Sequence, residues 1–295
     1  MAPALDLESW SGEDVKLGEV ETALARLRSL ASQDSPSMRT SVMTHLAWVP
    51  EDWLDQARAA LDGMAELHPS RTVLLIPEPD FGMNRIDATV SLERYDVPAS
   101  DRSVVSEVIE LRLKGTRAKA PASVVLPLLI SDLPVFLRWR GLPPWGSQEL
   151  DQLLGIVDRL IVDSTEWDDL PVAYGHLVDL FERVAVSDIA WARTSRWRHL
   201  LASLWPDIAD VNRIRVKGTE AQALLLCGWL RSRLGRDDVE MDHVEAERLE
   251  GIDLDGEPAP FPPGDPPLPS DVLSDELDRF TRDPVYEASV AAVAA

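Results

Sequence analysis

Two arginines fall on the apolar face of a predicted helix, where a charged side chain needs a partner. The stretch SDIAWARTSRWRHLLASLW begins at Ser187 and has helical spacing, with its leucines and tryptophans on one arc. Arg193 and Arg198 lie inside that arc. An unpaired buried guanidinium is costly, so each arginine must reach solvent, pair with an acid or bind an anion. Stacking on Trp191 or Trp197 would stabilise either of them further.

Three interpretations of these arginines stay open. A carboxylate from SDLP (Asp132) or from IVDS (Asp163) would make a structural ion pair. A bound anion would make a ligand site. Arginines beside tryptophans at the surface would make a protein-contact site, because Trp and Arg are common in binding hot spots. The sequence therefore predicts a partner for Arg193 and Arg198 without fixing its kind.

A second stretch, LLISDLPVFLRWRGLPPW, carries polar side chains at the two ends of a segment that is otherwise typical of a buried strand. Asp132 precedes the apolar run. Arg138, Trp139 and Arg140 end it, and Trp145 follows after a Pro-Pro turn. The ends of strands in α/β folds form surfaces where ligands and partners bind. A buried strand whose long arginine side chains extend to solvent at its end would contain the same residues, so both interpretations stay open.

The sequence lacks the common motifs of catalysis and cofactor binding. It has no G-x-G-x-x-G or G-x-x-x-x-G-K-[ST] phosphate loop, no G-x-S-x-G elbow, and no C-x-x-C or H-E-x-x-H metal motif. Cys227 lies in the apolar LLLCGWL, which predicts a buried, inert thiol rather than a nucleophile. Asp163 and Ser164 end a strand where α/β folds bind ligands, although capping the next helix is the commoner reason for such residues. We therefore predict no enzyme activity, no cofactor and no metal ion.

The net charge of −22 over 295 residues excludes whole classes of partner. Nucleic acid and anionic membranes both repel such a surface. No apolar run approaches the roughly 18 residues of a membrane span, and no signal peptide is recognisable. A single cysteine makes an internal disulfide impossible and fits a reducing compartment. We therefore expect a cytoplasmic protein with no nucleic-acid and no membrane partner.

Periodicity predicts an N-terminal part in which strands alternate with helices. A strand at residues 39–49, a helix at 51–67 and an apolar strand shortly after form a βαβ unit, which predicts a parallel pair. Further strands are predicted at residues 85–95, 104–113, 134–139 and 158–164, and further helices at 13–32 and 148–156.

The C-terminal part is predicted to be mainly helical. Helical spacing covers residues 170–184, 188–205 and 220–234, with a short strand, RIRVKG, before the last. Residues 256–270 hold 7 of the 22 prolines, which predicts an extended linker ahead of a final docked helix or two. The acidic tail either keeps the protein soluble and is partly disordered, or docks on a protein.

These patterns predict an α/β fold with a mixed, largely parallel sheet in the N-terminal part. A helix-rich α+β C-terminal part and an acidic, proline-rich tail follow. The corresponding domains are residues 1–165, residues 166–255, and residues 256–295 with the linker and a docking helix.

Seven motifs in a fixed order carry a resemblance to a known family. They are RTSVMTHLAWV, HPSRTVLL, PLLISDLPVFLRWRG, DRLIVDS, SDIAWARTSRWRHLLASLW, LLLCGWLRSRLG and DELDRFTRDPVYEASV. Their order and spacing resemble the glucose-6-phosphate dehydrogenase assembly protein family, OpcA. The resemblance implies a non-catalytic partner that promotes assembly and activation of that dehydrogenase in the oxidative pentose phosphate pathway. The resemblance also implies more β-strand between residues 236 and 256 than this short acidic segment predicts. The cysteine-based redox control of the family is not expected here, because Cys227 alone cannot form an internal disulfide.

Two hypotheses of function follow, from different classes. The first is a regulatory protein whose partner is glucose-6-phosphate dehydrogenase, with these candidate interface or ion-pair residues: Asp132, Arg138, Trp139, Trp145, Asp163, Trp191, Arg193, Trp197 and Arg198. The second is a sugar-phosphate-binding domain or degenerate enzyme with an arginine-based phosphate site at Arg39, His68, Ser70 and Arg71, together with Arg193. The missing glycine-rich loop opposes the second hypothesis.

Overall fold

The computed structural model describes residues 5–34, 37–38, 41–61, 70–96, 103–264 and 269–294. The chain forms two compact units, unit 1 at residues 1–160 and unit 2 at residues 161–295. The division into three domains at residues 165 and 255 stays a prediction.

Strands alternate with helices along unit 1. In chain order its elements are β1 (Leu5–Gly12), α1 (Leu17–Asp34), β2 (Ser37–Met38), β3 (Met43–Trp48), α2 (Leu54–Leu61), β4 (Ser70–Glu78), β5 (Ile86–Asp96), β6 (Ser103–Lys114), α3 (Pro121–Val125), β7 (Val135–Trp139) and α4 (Gln148–Leu154). Strand β8 (Arg159–Val162) begins at the end of this unit.

The sheet of unit 1 is mixed and largely parallel, as the sequence predicts. Its strand order is β1-β5-β6-β4-β3-β7. Strands β6, β4, β3 and β7 are parallel neighbours, whereas β5 runs antiparallel to both β6 and β1. Every residue of β3 and β7 is buried, as expected for parallel strands that are covered on both faces. The predicted βαβ unit is confirmed, because β3 and β4 pair in parallel with α2 between them in the chain.

Some boundaries in unit 1 differ from the sequence prediction. Strand β1 has no predicted counterpart, because its weak local signal becomes a strand only through pairing with β5. The helix predicted at residues 51–67 is a 3-10 turn followed by α2, and residues 62–69 lie outside the described part of the chain.

Unit 2 is rich in helices and carries a second, small sheet, in agreement with the predicted α+β class. After β8 its elements are α5 (Val172–Leu180), β9 (Ala185–Asp188), α6 (Ile189–Arg193), α7 (Ser195–Ser203), β10 (Arg213–Gly218), α8 (Glu220–Leu234), β11 (Glu240–Glu245), β12 (Gly251–Leu254), β13 (Glu257–Pro258), α9 (Pro269–Leu277) and α10 (Pro284–Ala294). Among the helices of the described residues, none has the length and apolar character of a membrane span.

Two features of unit 2 differ from the local sequence signal. The small sheet has the order β11-β10-β12-β13, so residues 236–256 contain two strands where the signal had faded. The helix predicted at residues 188–205 is two helices that meet at Thr194. The hydroxyl of Thr194 donates a hydrogen bond to the carbonyl of Trp191 at 2.7 Å, and such bonds compete with a continuous helix.

Helix α8 begins and ends as predicted, and its flanking residues explain why. Thr219 caps its N-terminus in a capping box with Gln222, and Gly235 follows its last turn at a φ of 63°. Helix α10 packs very closely on α8. A Cβ atom at Gly228 would lie 2.2 Å from the carbonyl oxygen of Ser289, so only glycine allows this approach.

Candidate functional site

Strands β3 and β7 end side by side and bring two tryptophans together in the core of unit 1. Trp48 and Trp139 are register partners, and their rings stack at 4.9 Å with an angle of 13° between planes. Arg138 is also buried, and its Nη1 donates to the carbonyl of Trp139. Burial, together with the charge of Arg138, lowers the pKa of His45 to about 4. Trp139 and Arg138 are therefore core residues of this unit.

The chain that leaves β7 forms a surface of aromatic, cationic and apolar side chains. The Arg140 guanidinium stacks 4.6 Å from the ring centre of Trp53, and its Nη2 donates to Gln56 Oε1 at 2.9 Å. Leu142 is 40% exposed, and Trp145 is half-buried. We call Trp53, Arg140, Leu142 and Trp145 the exit surface. It lies at the carboxyl ends of parallel strands, where α/β proteins commonly bind other molecules.

Asp132 lies at the opposite end of β7 and is exposed, with a φ of 66°. The backbone N–H of Val135, which opens β7, donates instead to Asp158 Oδ2 at 2.8 Å. The carboxylate that satisfies the beginning of this strand is thus Asp158, a residue that sequence reasoning did not select.

In unit 2, Arg193 pairs with one of the two carboxylates that the sequence offered. Its Nη1 lies 3.0 Å from Asp163 Oδ2. Asp163 is buried and also accepts hydrogen bonds from the backbone N–H and the hydroxyl of Thr165. The Arg193 side chain keeps 34% exposure, so it bridges a buried acid and the surface.

Arg198 lies over the ring of Trp191, with its guanidinium carbon 3.4 Å from the ring centre. Its Nε donates to the hydroxyl of Thr194 at 3.0 Å, and Trp191 Nε1 donates to Asp283 Oδ2 at 3.0 Å. Burial lowers the pKa of Arg198 to about 10, against the opposing effect of the Asp283 charge. Stacking on Trp191 and hydrogen bonds to Thr194 and to the carbonyl of Trp191 hold this arginine in place. The ring of Trp197 lies 5.5 Å from the ring of Phe261.

A buried network around Asp188 was missed by sequence reasoning. The carboxylate accepts hydrogen bonds from the backbone N–H and the hydroxyl of Ser164, at 3.1 and 2.7 Å. It also accepts hydrogen bonds from the backbone N–H of Ala190 at 2.9 Å and from the hydroxyl of Tyr286 at 3.3 Å. Tyr174 in turn donates to the Ser164 hydroxyl at 2.9 Å. Burial raises the pKa of Asp188 to about 7, and the charge of Asp163 acts in the same direction. The only local signal was an Asp directly before a helix, which is typical of an N-cap.

Replacing Asp188 by Asn is expected to flatten the pH dependence of stability. Because the folded-state pKa of Asp188, about 7, lies above the ordinary value of 3.8 for an aspartate, folding favours the protonated acid. The stability from this group is fully present below about pH 4 and is lost as the pH rises through 7. The free energy of unfolding in urea should therefore be measured for both proteins at pH 4 and at pH 8. Between these two pH values, the difference between Asp188→Asn and wild type should change by at least about 1 kcal/mol in favour of the variant. Parallel pH profiles of the two proteins would contradict this.

The residues of the alternative phosphate site are engaged within unit 1 or lie outside the described chain. Arg71 donates to Glu107 at 2.8 Å, to Glu21 at 3.2 Å and to the carbonyl of Leu128 at 2.6 Å. Ser70 is buried, with its hydroxyl 3.3 Å from that of Thr72. Arg39 and His68 lie outside the described residues. The guanidinium group of Arg71 is therefore hydrogen-bonded to protein oxygens in place of the phosphate that this hypothesis requires.

Two further features bear on chemistry. Cys227 is a free, buried thiol, and burial raises its pKa. Within the described ranges, no group of three or more His, Cys, Asp or Glu side chains is arranged to hold a metal ion.

The fold and these contacts define a two-unit α/β and α+β protein with tryptophan–arginine clusters at strand and helix ends. Two family models match it: the glucose-6-phosphate dehydrogenase subunit N-terminal domain over residues 62–178 and the C-terminal domain of the same subunit over residues 184–260. The chain belongs to the OpcA glucose-6-phosphate dehydrogenase assembly family.

Curated relatives carry the name "Putative OxPP cycle protein OpcA". The protein of Nostoc punctiforme is 27% identical over 186 residues, which cover 59% of this chain and 39% of that protein. The protein of Synechococcus elongatus is 28% identical over 229 residues, which cover 70% of this chain and 50% of that protein. The matched region thus spans half the length of these relatives or less. No solved structure matches the chain.

Proposed function

We propose that this chain is a non-catalytic assembly and activator protein of glucose-6-phosphate dehydrogenase. It acts by protein–protein binding and supports the oxidative pentose phosphate pathway in the cytoplasm. The observation that carries the proposal is the match to two consecutive models, both described as domains of a glucose-6-phosphate dehydrogenase subunit. The names of the relatives, which refer to the OxPP cycle, support the same pathway.

The exit surface is the part of unit 1 that we propose to contact the dehydrogenase. Hot spots of binding combine tryptophan and arginine with a rim that excludes water. Arg140 is fixed between Trp53 and Gln56 before any partner arrives, so little side-chain entropy is lost on binding. Exposed Leu142 adds an apolar contact beside it. The buried Arg138 and Trp139 directly precede Arg140 in the chain.

Removing the Arg140 side chain is expected to weaken the complex. Arg140→Ala and Leu142→Ala should each bind the dehydrogenase of the same organism about 30-fold more weakly, the loss typical of a 2 kcal/mol hot spot. The measurement is a titration of dehydrogenase activity and of co-purification with each variant. Arg26→Ala, at an exposed position of α1, is the matched control and should behave as wild type.

Two outcomes would count against these proposals separately. Full activation by Arg140→Ala and Leu142→Ala would rule out the exit surface and leave the assembly function standing. Absence of any association between the wild-type protein and the dehydrogenase would overturn the function itself. The protein alone, free of dehydrogenase, should not reduce NADP with glucose 6-phosphate.

A further inference from the structure

Unit 2 contains a cavity of about 810 Å³ that the proposed protein contact does not use. It lies between the helices α6 and α7, the beginning of α8 and the loop that joins β11 to β12. Small-molecule sites commonly have volumes of about 300 to 1,000 Å³. The size of this cavity therefore suits a metabolite rather than a single ion.

One wall of the cavity is aromatic, and Arg196 fixes the proline-rich segment that forms part of this wall. Arg196 Nη2 donates to the carbonyls of Pro262 and Pro263 at 3.0 and 2.7 Å, and also to that of Gly264. This anchors Phe261 5.5 Å from the ring of Trp197, yet Phe261 stays 74% exposed. The described part of the predicted linker thus forms a fixed apolar wall.

Three guanidinium groups line the same cavity, at Arg193, Arg196 and Arg248. Among the described contacts, Arg193 donates through Nη1 only and Arg196 through Nη2 only. Arginine has five N–H donors, so both forks retain hydrogen-bonding capacity. Arginine forks match the oxygen geometry of a phosphate group. Because the net charge of the chain is −22, three arginines around one cavity indicate a binding site for a negatively charged group.

Two carboxylates, Glu247 and Glu250, line the cavity beside the arginines. Glu250 is paired with Lys217 at 2.8 Å, which offsets its charge. Glu247 is exposed, and a carboxylate there would repel a bare anion but accept hydrogen bonds from hydroxyl groups. A ligand that suits all of these groups carries a phosphate, several hydroxyls and an apolar ring face.

We propose that this cavity binds a phosphorylated sugar. The arginines hold the phosphate, Glu247 accepts hydrogen bonds from ring hydroxyls, and Phe261 with Trp197 covers the apolar face of the ring. The site would give the protein a sensor for a small metabolite, separate from its protein contact.

Calorimetry on the full chain tests the ligand class with four probes. Glucose 6-phosphate should bind at least tenfold more tightly than either inorganic phosphate or glucose, because only it engages both the arginines and Glu247. AMP carries a phosphate and ribose hydroxyls on a larger frame and should bind more weakly than glucose 6-phosphate. No heat with glucose 6-phosphate, equal binding of inorganic phosphate, or tighter binding of AMP would each overturn the proposal.

Three exposed positions, Arg233, Glu247 and Arg248, allow variants that leave the fold intact. Arg248→Ala should weaken glucose 6-phosphate at least tenfold, whereas Arg233→Ala, at an exposed position of α8 outside the cavity, should not. Glu247→Ala should weaken glucose 6-phosphate but leave inorganic phosphate equal or tighter, because it removes both a hydroxyl acceptor and a negative charge. Unchanged affinity in Arg248→Ala, or parallel effects of Glu247→Ala on both ligands, would overturn the assignment. The dehydrogenase is absent from these experiments, so their failure would leave the assembly function untouched.

Discussion

Glu107→Gln is expected to lower the free energy of unfolding by about 3 to 5 kcal/mol, the usual cost of breaking a buried ion pair from one side. Glu107 is almost fully buried on β6 and accepts hydrogen bonds from two arginines, Arg28 at 2.7 Å and Arg71 at 2.8 Å. A neutral amide would remove the buried carboxylate that both guanidinium groups share and would leave Arg71 only the half-buried Glu21 at 3.2 Å. Urea unfolding at neutral pH measures the loss.

The matched control is Glu110→Gln, three residues along the same strand. Glu110 also accepts two hydrogen bonds from one arginine, Arg58, but at the surface, where the Arg58 side chain is 47% exposed. Solvent screens such a pair, so this variant should lose at most about 1 kcal/mol. Equal losses in the two variants would show that burial does not set the strength of these pairs.

Gly228→Ala is expected to destabilise unit 2 by about 3 kcal/mol, at the upper end of the range for overpacking. The new methyl group would lie 2.2 Å from the carbonyl oxygen of Ser289 and 2.6 Å from Val293 Cγ2, so α10 must move away from α8. Backbone atoms cannot swing aside as a flexible side chain can. Thermal unfolding measures the loss, and proteolysis that releases residues 284–294 would show which contact fails.

Gly175→Ala provides a control with the opposite sign. Gly175 lies at an exposed position of helix α5, and nothing lies within 4 Å of the Cβ atom that alanine would add. Alanine is a better helix former than glycine by about 1 kcal/mol, so this variant should be slightly more stable than wild type. A stabilised Gly228→Ala would contradict the close approach of α8 and α10.

Local patterns in the sequence predicted the elements whose signals lie within a few residues of each other. Helix α8 matches its predicted range because Thr219 and Gly235 act on the backbone groups of its own first and last turns. Strand β3 was predictable from its alternating, β-branched pattern and β7 from its apolar run, and the parallel pairing of β3 with β4 followed from the short helix between them.

Other elements depend on partners that are distant in the chain. Strand β1 pairs with β5 about 80 residues away, and β11 and β12 flank β10 although half of the residues of β11 are acidic and β12 is only four residues long. Such strands have little local signal, because the backbone hydrogen bonds that stabilise them come from elsewhere in the chain.

The sequence by itself determined that Arg193 and Arg198 need partners, since a guanidinium on an apolar face is costly wherever the fold places it. Only the tertiary structure decided which partners they have. Arg193 meets Asp163 rather than Asp132, and Arg198 lies on Trp191. The tertiary structure also buried Arg138 while leaving Arg140 at the surface, although the two lie two residues apart. The physical reason is range: the cost of an unpaired charge belongs to the residue, whereas the choice among possible acids and rings depends on which distant segments folding brings within about 4 Å.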